Sequence, residues 1–271
     1  MNLKWDGHCH TQFCPHGKQE PTESMIRRAI DLGFERLSLT EHAPLPKGLM
    51  KDQKLFDELA LKPEELEPYL DHAQTLKAKF AGQIEIWVGL ELDYLPGYET
   101  FTVDFFEKWG PKLDDSLLSM HFIPGQDGLC MVDYNPQDFQ ENLLDHYGSL
   151  SAVHLAYWNW FEKGLALPFK GSKPKRLGHP GLINKFCLEW GEPEPEVSPG
   201  FFEPIVAKAK AAGYQLDHNH SGLGRASCLR TYMPMPLLQA AQKAGMELIY
   251  GSDAHGVQAI GGFFDSYLAG P

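Results

Sequence analysis

Seven times along the chain a short apolar run breaks into a polar or histidine-bearing turn, and an amphipathic stretch follows. The runs lie in NLKWDGHCH, FERLSLTEH, IEIWVGLELDY, SLLSMHFI, KRLGHPG, YQLDHNHSG and MELIYGSDAH. Helical stretches separate them. One is PTESMIRRAIDLG, with Thr22 as candidate N-cap and Gly33 as stop; another is KPEELEPYLDHAQTLKAKFAG; Pro136 to Lys163 is mostly helical. Strands that alternate with helices are joined by crossovers, and crossovers make neighbouring strands parallel. Seven such units in 271 residues, with no glycine-rich nucleotide fingerprint, predict a closed or nearly closed (β/α)7 barrel. A doubly wound open sheet is the alternative. No linker divides the chain, so residues 1–271 are expected to form one domain. Ala43–Lys62 and Lys163–Lys175 are expected to be lids over the barrel mouth.

Hydrophobic residues at 43% suffice for a large core. A net charge of −12 without a long basic run argues against nucleic-acid or membrane surfaces, because phosphate backbones need Lys and Arg to displace counterions. A small phosphorylated substrate, held by metals and one or two arginines, remains compatible. No apolar run approaches the roughly 18 residues that span a bilayer, and the first residues lack the apolar core of a secretion signal. Five scattered cysteines suggest reduced thiols and a cytoplasmic location.

In a barrel, the active site sits where strands end. Here strand one ends in His8 and His10, whose i, i+2 spacing puts both on one face, with His16 in the loop beyond. Strand two ends in Glu41 and His42, strand three in Glu91, strand four in His121 and strand five in His179. Strand six ends in Asp217, His218, Asn219 and His220, and strand seven in Asp253 and His255. A lone histidine at a strand end is usually structural. H-x-H and D-x-H pairs at opposite ends of the chain, with His or Glu at nearly every strand end between, point instead to a metal cluster, since bound cations use the neutral imidazole. His72, His146 and His154 lie in helical stretches and read as surface or core residues. A zinc finger is excluded, because Cys9 and Cys14 have no second pair at finger spacing. Cys9 should point away from His8 and His10 into packing. Cys14 falls near the ligands, but a thiol sits poorly in an otherwise N/O set.

DGHCHT, LTEH, GLELD, SMHF, LGHP and GSDAH resemble, in order, the motifs of the PHP (polymerase and histidinol phosphatase) superfamily. DGHCHTQFCPHG and DHNHSGLGR resemble its histidinol-phosphatase branch in particular. The resemblance covers the whole chain. It implies a distorted, TIM-like (β/α)7 barrel holding three divalent metal ions, with Zn, Mn and Fe all compatible with the ligand types. By resemblance, one ion takes His8, His10, Glu91 and Asp253. A second takes Glu91, His121 and His179, and a third takes His16, His42 and His255. Glu41 is left to orient a histidine. The chain departs from the branch at Asp217, where Glu is usual, at His220, where Thr is usual, and in the Pro-Gly after His179.

The implied reaction is hydrolysis of L-histidinol phosphate to L-histidinol and phosphate, as in histidine biosynthesis, by a metal-bridging hydroxide, with Glu91 and Asp253 in the catalytic cluster. Arg225, then Arg230 and Arg176, are candidates for the phosphate oxygens. Asp127, Asp133 and Asn219 are candidates for the imidazole end of the substrate. His220 or a metal-bound water is the candidate general acid. The rival readings are a phosphoesterase for another small phosphomonoester or for nucleotide or nucleic-acid phosphate, a metal-dependent amidohydrolase, and a non-catalytic, metal-stabilised binding domain.

Overall fold

The computed structural model describes residues 3–191, 193, 196 and 198–270. Residues 192, 194, 195 and 197 of the acidic proline loop EWGEPEPEVSPG lie outside that set. Seven parallel strands form one sheet: β1 (Trp5–Cys9), β2 (Arg36–His42), β3 (Glu85–Asp93), β4 (Asp115–Ser119), β7 (Arg176–Leu177), β8 (Gln215–Asn219) and β9 (Leu248–Gly251). A separate two-stranded hairpin, β5 (Phe122–Gly125) and β6 (Gly128–Met131), follows β4. The sheet order is β1-β2-β3-β4-β7-β8-β9. The ends of the sheet meet: Asp253 N donates to His8 O at 2.8 Å, His10 N donates to Ala254 O at 2.9 Å, and Cys9 bridges Ala254 in parallel. The barrel predicted from the alternation is therefore the observed architecture, and the open sheet is not.

The strands are buried along nearly their whole length because helices cover the outside while the strands face one another across the interior. The helix Thr22–Asp31 buries Thr22, Met25, Ile26 and Ala29, the i, i+3, i+4, i+7 stripe of an amphipathic helix. Thr22 is its first residue rather than its cap, and its hydroxyl accepts from Gln12 N at 3.2 Å. Gly33, at φ 75°, ends the helix as expected. Leu66–Lys79 and Leu150–Leu165 pack in the same manner. The stretch from Pro136 is broken by Gly148 in a left-handed conformation before that last helix.

Three sequence expectations need correction. SLLSMHFI is not one strand: β4 stops at Ser119, and Phe122 begins the hairpin. Lys163–Lys175 is not a lid. Lys175 N donates to Ser116 O at 3.1 Å, so the segment leads into the start of β7 at the end of the barrel opposite the mouth. A helix-to-strand connection must return to that end in a parallel barrel. Arg176 is there too. Its Nη2 donates to Asp115 Oδ2 and to Gly7 O, each at 2.6 Å, and it is fully buried. It cannot reach a substrate at the mouth, because it is the first residue of its strand. Ala43–Lys62 does lie over the mouth, and Leu45, Leu55 and Leu59 line the cavity there.

Candidate metal centre

Strand alternation turns His8 and His10 inward and Cys9 outward, where the Cys9 thiol donates to Ser38 O at 3.1 Å. The ring nitrogens then divide their work. His8 Nδ1 meets Asp217 Oδ2 at 2.7 Å and His10 Nδ1 meets Glu41 Oε1 at 3.2 Å. His121 Nδ1 meets Asp93 Oδ1 at 2.7 Å. His16 Nδ1 faces Glu58 O at 2.8 Å, and His255 Nδ1 faces Asp253 O at 2.9 Å. Five imidazoles are thus pinned through one nitrogen to an oxygen, which leaves the other free to point at a common centre. This is how histidines are oriented and made more basic towards a metal. Nε2 of His8, His10 and His42, together with Glu91 Oε2, is buried with no hydrogen-bond partner. Unsatisfied groups of this kind are costly unless something absent from the protein satisfies them.

Glu91 is central. Its Oε2 lies 3.4 Å from His8 Nε2, 3.6 Å from His10 Nε2 and 3.1 Å from His42 Nδ1. Its Oε1 lies 2.8 Å from His179 Nε2 and 3.9 Å from His121 Nε2, and accepts from Ser119 Oγ at 2.6 Å. Gly178 makes this approach feasible: a Cβ there would collide with Ser119 Oγ, which donates to Glu91. Asp253 Oδ1 lies 3.2 Å from His10 Nε2 and 3.8 Å from His8 Nε2. On the other side His16 Nε2 and His255 Nε2 are 3.1 Å apart, and His255 stacks on His10 with ring centroids at 4.1 Å. The nine predicted ligands therefore converge. His8–His10–Glu91, His8–His179–Asp253 and Glu91–His121–His179 each place their ligand atoms within 4.8 Å of one another. His179 and Asp253 both have positive φ, at 24° and 52°, the sort of backbone strain retained at functional positions.

Two electrostatic halves result. Burial alone would lower the pKa of His8 and His10, but the carboxylates override it. Glu91, Asp217 and Asp253 hold His8 well above its ordinary value, and Asp253 and Glu41 raise His10 to about 9. Burial would raise Glu91 and Asp253, yet the imidazoles around them keep both well below the usual carboxylate range. In the histidine-rich half, burial and neighbouring imidazoles lower His16 to about 4 and hold His42 and His255 below normal. Such histidines stay neutral, the form a metal needs.

Other residues sort by the face of their strand. On β8, Asp217 and Asn219 turn inward; Asn219 Nδ2 donates to Asp217 Oδ2 at 3.2 Å and to Asp253 Oδ2 at 3.3 Å. His218 and His220 turn outward, against Tyr250 and Tyr267. They line a separate cavity of about 320 Å³ behind the strand, together with Arg230. The expected acid role of His220 and phosphate role of Arg230 are therefore both corrected: an even-odd register decides the face, and theirs is the wrong one. Arg225 lines the main cavity of about 790 Å³ with the metal cluster. Glu41 is placed as expected, on His10, and is fixed by Thr11 N at 2.9 Å. Sequence reasoning missed the orienting roles of Asp93 and Asp217. Asp93 was legible as i+2 from Glu91, while Asp217 needed the barrel to bring it to His8. Cys14 also differs from a plain packing residue, since its sulfur lies within 4.8 Å of ligand atoms of His10, His42 and His255. His154 is a satisfied core histidine, bonded to Glu196 Oε1 at 2.6 Å. No helix of the described residues is long and apolar enough to cross a membrane.

Known proteins are similar to this chain in sequence and in fold. The chain matches the PHP domain family over residues 6–193. It is 34% identical to a histidinol-phosphatase of Bacillus subtilis over 265 residues, covering 98% of each chain. A candidate histidinol phosphatase of Listeria monocytogenes superposes with a TM-score of 0.93 at 37% identity, covering 97% of this chain and 100% of that one. A histidinol phosphate phosphatase of Lactococcus lactis, solved with zinc, L-histidinol and phosphate, has a TM-score of 0.68 at 17% identity over 95% of this chain and 90% of its own, a likeness of fold. With the motifs, the barrel and the cluster in agreement with these matches, the chain belongs to the PHP family, on its histidinol-phosphatase branch.

Proposed function

We propose that this chain is a metal-dependent phosphomonoesterase that hydrolyses L-histidinol phosphate to L-histidinol and phosphate. The observation that carries the reading is the ring of inward nitrogens and carboxylate oxygens left without partners around Glu91, in a cavity large enough for a small phosphorylated molecule. The donor set fits three divalent ions of the zinc, manganese or iron type. His8, His10, Glu91 and Asp253 would hold the first, Glu91, His121 and His179 the second, and His16, His42 and His255 the third. Bound there, such ions supply a water of lowered pKa and neutralise charge on the phosphoryl group.

The chain's own residues do the rest. Asp217, Glu41 and Asp93 fix the rotation of His8, His10 and His121. Asn219 ties Asp217 to Asp253 and so holds the end of β8 to the end of β9 at the site, a bracing role rather than direct substrate contact. Arg225, from the loop after β8, reaches the same cavity and offers a two-pronged donor for phosphate oxygens. Leu45, Leu55 and Leu59 of the lid segment limit water. The acidic chain with no basic stripe disfavours long nucleic-acid substrates.

The test is metal analysis of the purified protein with phosphate release measured on L-histidinol phosphate, nucleotides and an oligonucleotide. Turnover of the nucleotides with none of L-histidinol phosphate would overturn the substrate. A His16→Asn protein that kept three ions and full activity would overturn the ligand assignment.

A further inference from the structure

Three residues compete for the nitrogen-bearing end of such a substrate, and the structure separates them. Asp127 sits on the β5–β6 turn, 75% exposed, and faces Lys51 at 3.7 Å, where water screens its charge. Asn219 has committed its amide to Asp217 and Asp253 and its carbonyl to Ser221. Asp133 is different. It follows β6 and lines the cavity of the metal cluster, into which its side chain is 15% exposed. Oδ2 accepts from Lys185 Nζ at 2.9 Å, while Oδ1 is buried with no hydrogen-bond partner. The segment is anchored beside the cluster, since Val132 N donates to His121 O at 2.9 Å. A largely dehydrated carboxylate with one unused oxygen is costly, and a ligand N–H would offset that cost. The same cavity carries cations elsewhere on its wall, Lys18 from the loop after β1 and Arg225 from the loop after β8. It therefore presents cations for a phosphate and a carboxylate for an N–H donor. Glu58 also borders the cavity, but it is exposed on the lid segment.

We propose that Asp133, braced by Lys185, accepts the N–H of the amino or imidazole group of the substrate and sets the preference for a nitrogen-bearing phosphomonoester. This rests on the function proposed above and names the residue that reads the substrate there.

The test compares kcat and KM of the metal-loaded wild type, Asp133→Asn and Lys185→Met on L-histidinol phosphate and on p-nitrophenyl phosphate. Asp133→Asn should raise KM for L-histidinol phosphate about tenfold or more, the effect of losing one charge-assisted hydrogen bond, and leave p-nitrophenyl phosphate within about twofold. Lys185→Met keeps the carboxylate but loosens it, and should keep the discrimination with a smaller rise in KM for L-histidinol phosphate than Asp133→Asn gives. Ethanolamine phosphate and 2-(imidazol-4-yl)ethyl phosphate then identify the nitrogen, since only the substrate that carries it should respond to Asp133→Asn. Equal losses on every substrate, or the same loss in Lys185→Met, would mean that the ion pair merely holds a loop, and would overturn the proposal. Asp133→Ser, compared in the same way, replaces Asp133→Asn if the latter does not fold. A wild type that hydrolyses p-nitrophenyl phosphate but not L-histidinol phosphate defeats the proposed function instead, and the Asp133 comparison is then read on ethanolamine phosphate.

Discussion

At the start of the strands, Arg176 pairs with Asp115 at 2.6 Å, Asp115 Oδ2 also accepts from Ser38 Oγ at 2.7 Å, and Trp5 Nε1 donates to Ser38 Oγ at 2.9 Å. At the ends of the same strands, histidines and carboxylates are packed as tightly, yet a group of buried atoms there, among them Nε2 of His8, His10 and His42 and Glu91 Oε2, has no partner. Both ends bury charge. The first end closes nearly all of its network within the protein, around one cation and one anion, and leaves Arg176 Nε without a partner. The second spends its outer nitrogens on orienting bonds and leaves the inner ones open. A closed network serves stability and the uniqueness of the fold, and an open one serves a ligand. The difference teaches where to look for function when both ends are polar: not at the larger number of charged groups, but at the bonds left unmade.

The sharpest way to break this comparison is at Glu91, which faces five of the imidazoles. Glu91→Gln should lower kcat/KM by about 10³-fold or more and lose bound metal, measured by steady-state kinetics and elemental analysis. Arg176→Met is the converse. It strands Asp115 without a partner and should cost about 3–5 kcal/mol in urea unfolding, with activity per bound metal preserved. If Arg176→Met abolished turnover in the folded, metal-loaded protein, the division between the ends would fail.

Acidity sharpens the comparison further, because histidines of the open end are moved to either side of their ordinary value. In the metal-free protein, His10 is raised to about 9, so its contribution is complete below the unfolded value near 6.5 and fades as pH rises through 9. His16 is lowered to about 4, so its contribution is present above 6.5 and is lost as pH falls towards 4. Thermal melting of the metal-free protein should therefore peak near pH 6.5 and fall by roughly 3 °C or more on each side. Saturation with metal should move the optimum upward, because metal competes with protons for the same nitrogens. A flat profile between pH 5 and 9 would contradict the two halves described above. The smallest effect is expected at His220, which faces away from the cluster. His220→Thr should leave kcat/KM within about twofold, and a loss of several orders of magnitude would restore it as an acid.

Much of this was legible from the chain alone. Alternation of apolar runs and amphipathic stretches specified parallel strands and a barrel, since periods of 2 and 3.6 leave little choice of local structure. The hairpin Phe122–Met131 was hidden because it continues directly from an apolar strand, with no turn signal at Met120 and His121. The fifth strand was placed correctly but is only Arg176–Leu177. Arg176 misled because arginine beside a phosphate-site motif carries no mark of the strand end it occupies.

The sequence by itself determined the kinds of ligand and their place at strand ends, because the one-dimensional pattern of side chains carries both. Only the tertiary structure decided that Asp217 orients His8 across 209 residues, that His218 and His220 face the helices, and that Asp133 keeps a buried oxygen without a partner beside the cavity. Those facts depend on how β9 closes on β1 and on the register of each strand. A shift of one residue would turn every side chain of a strand to its other face.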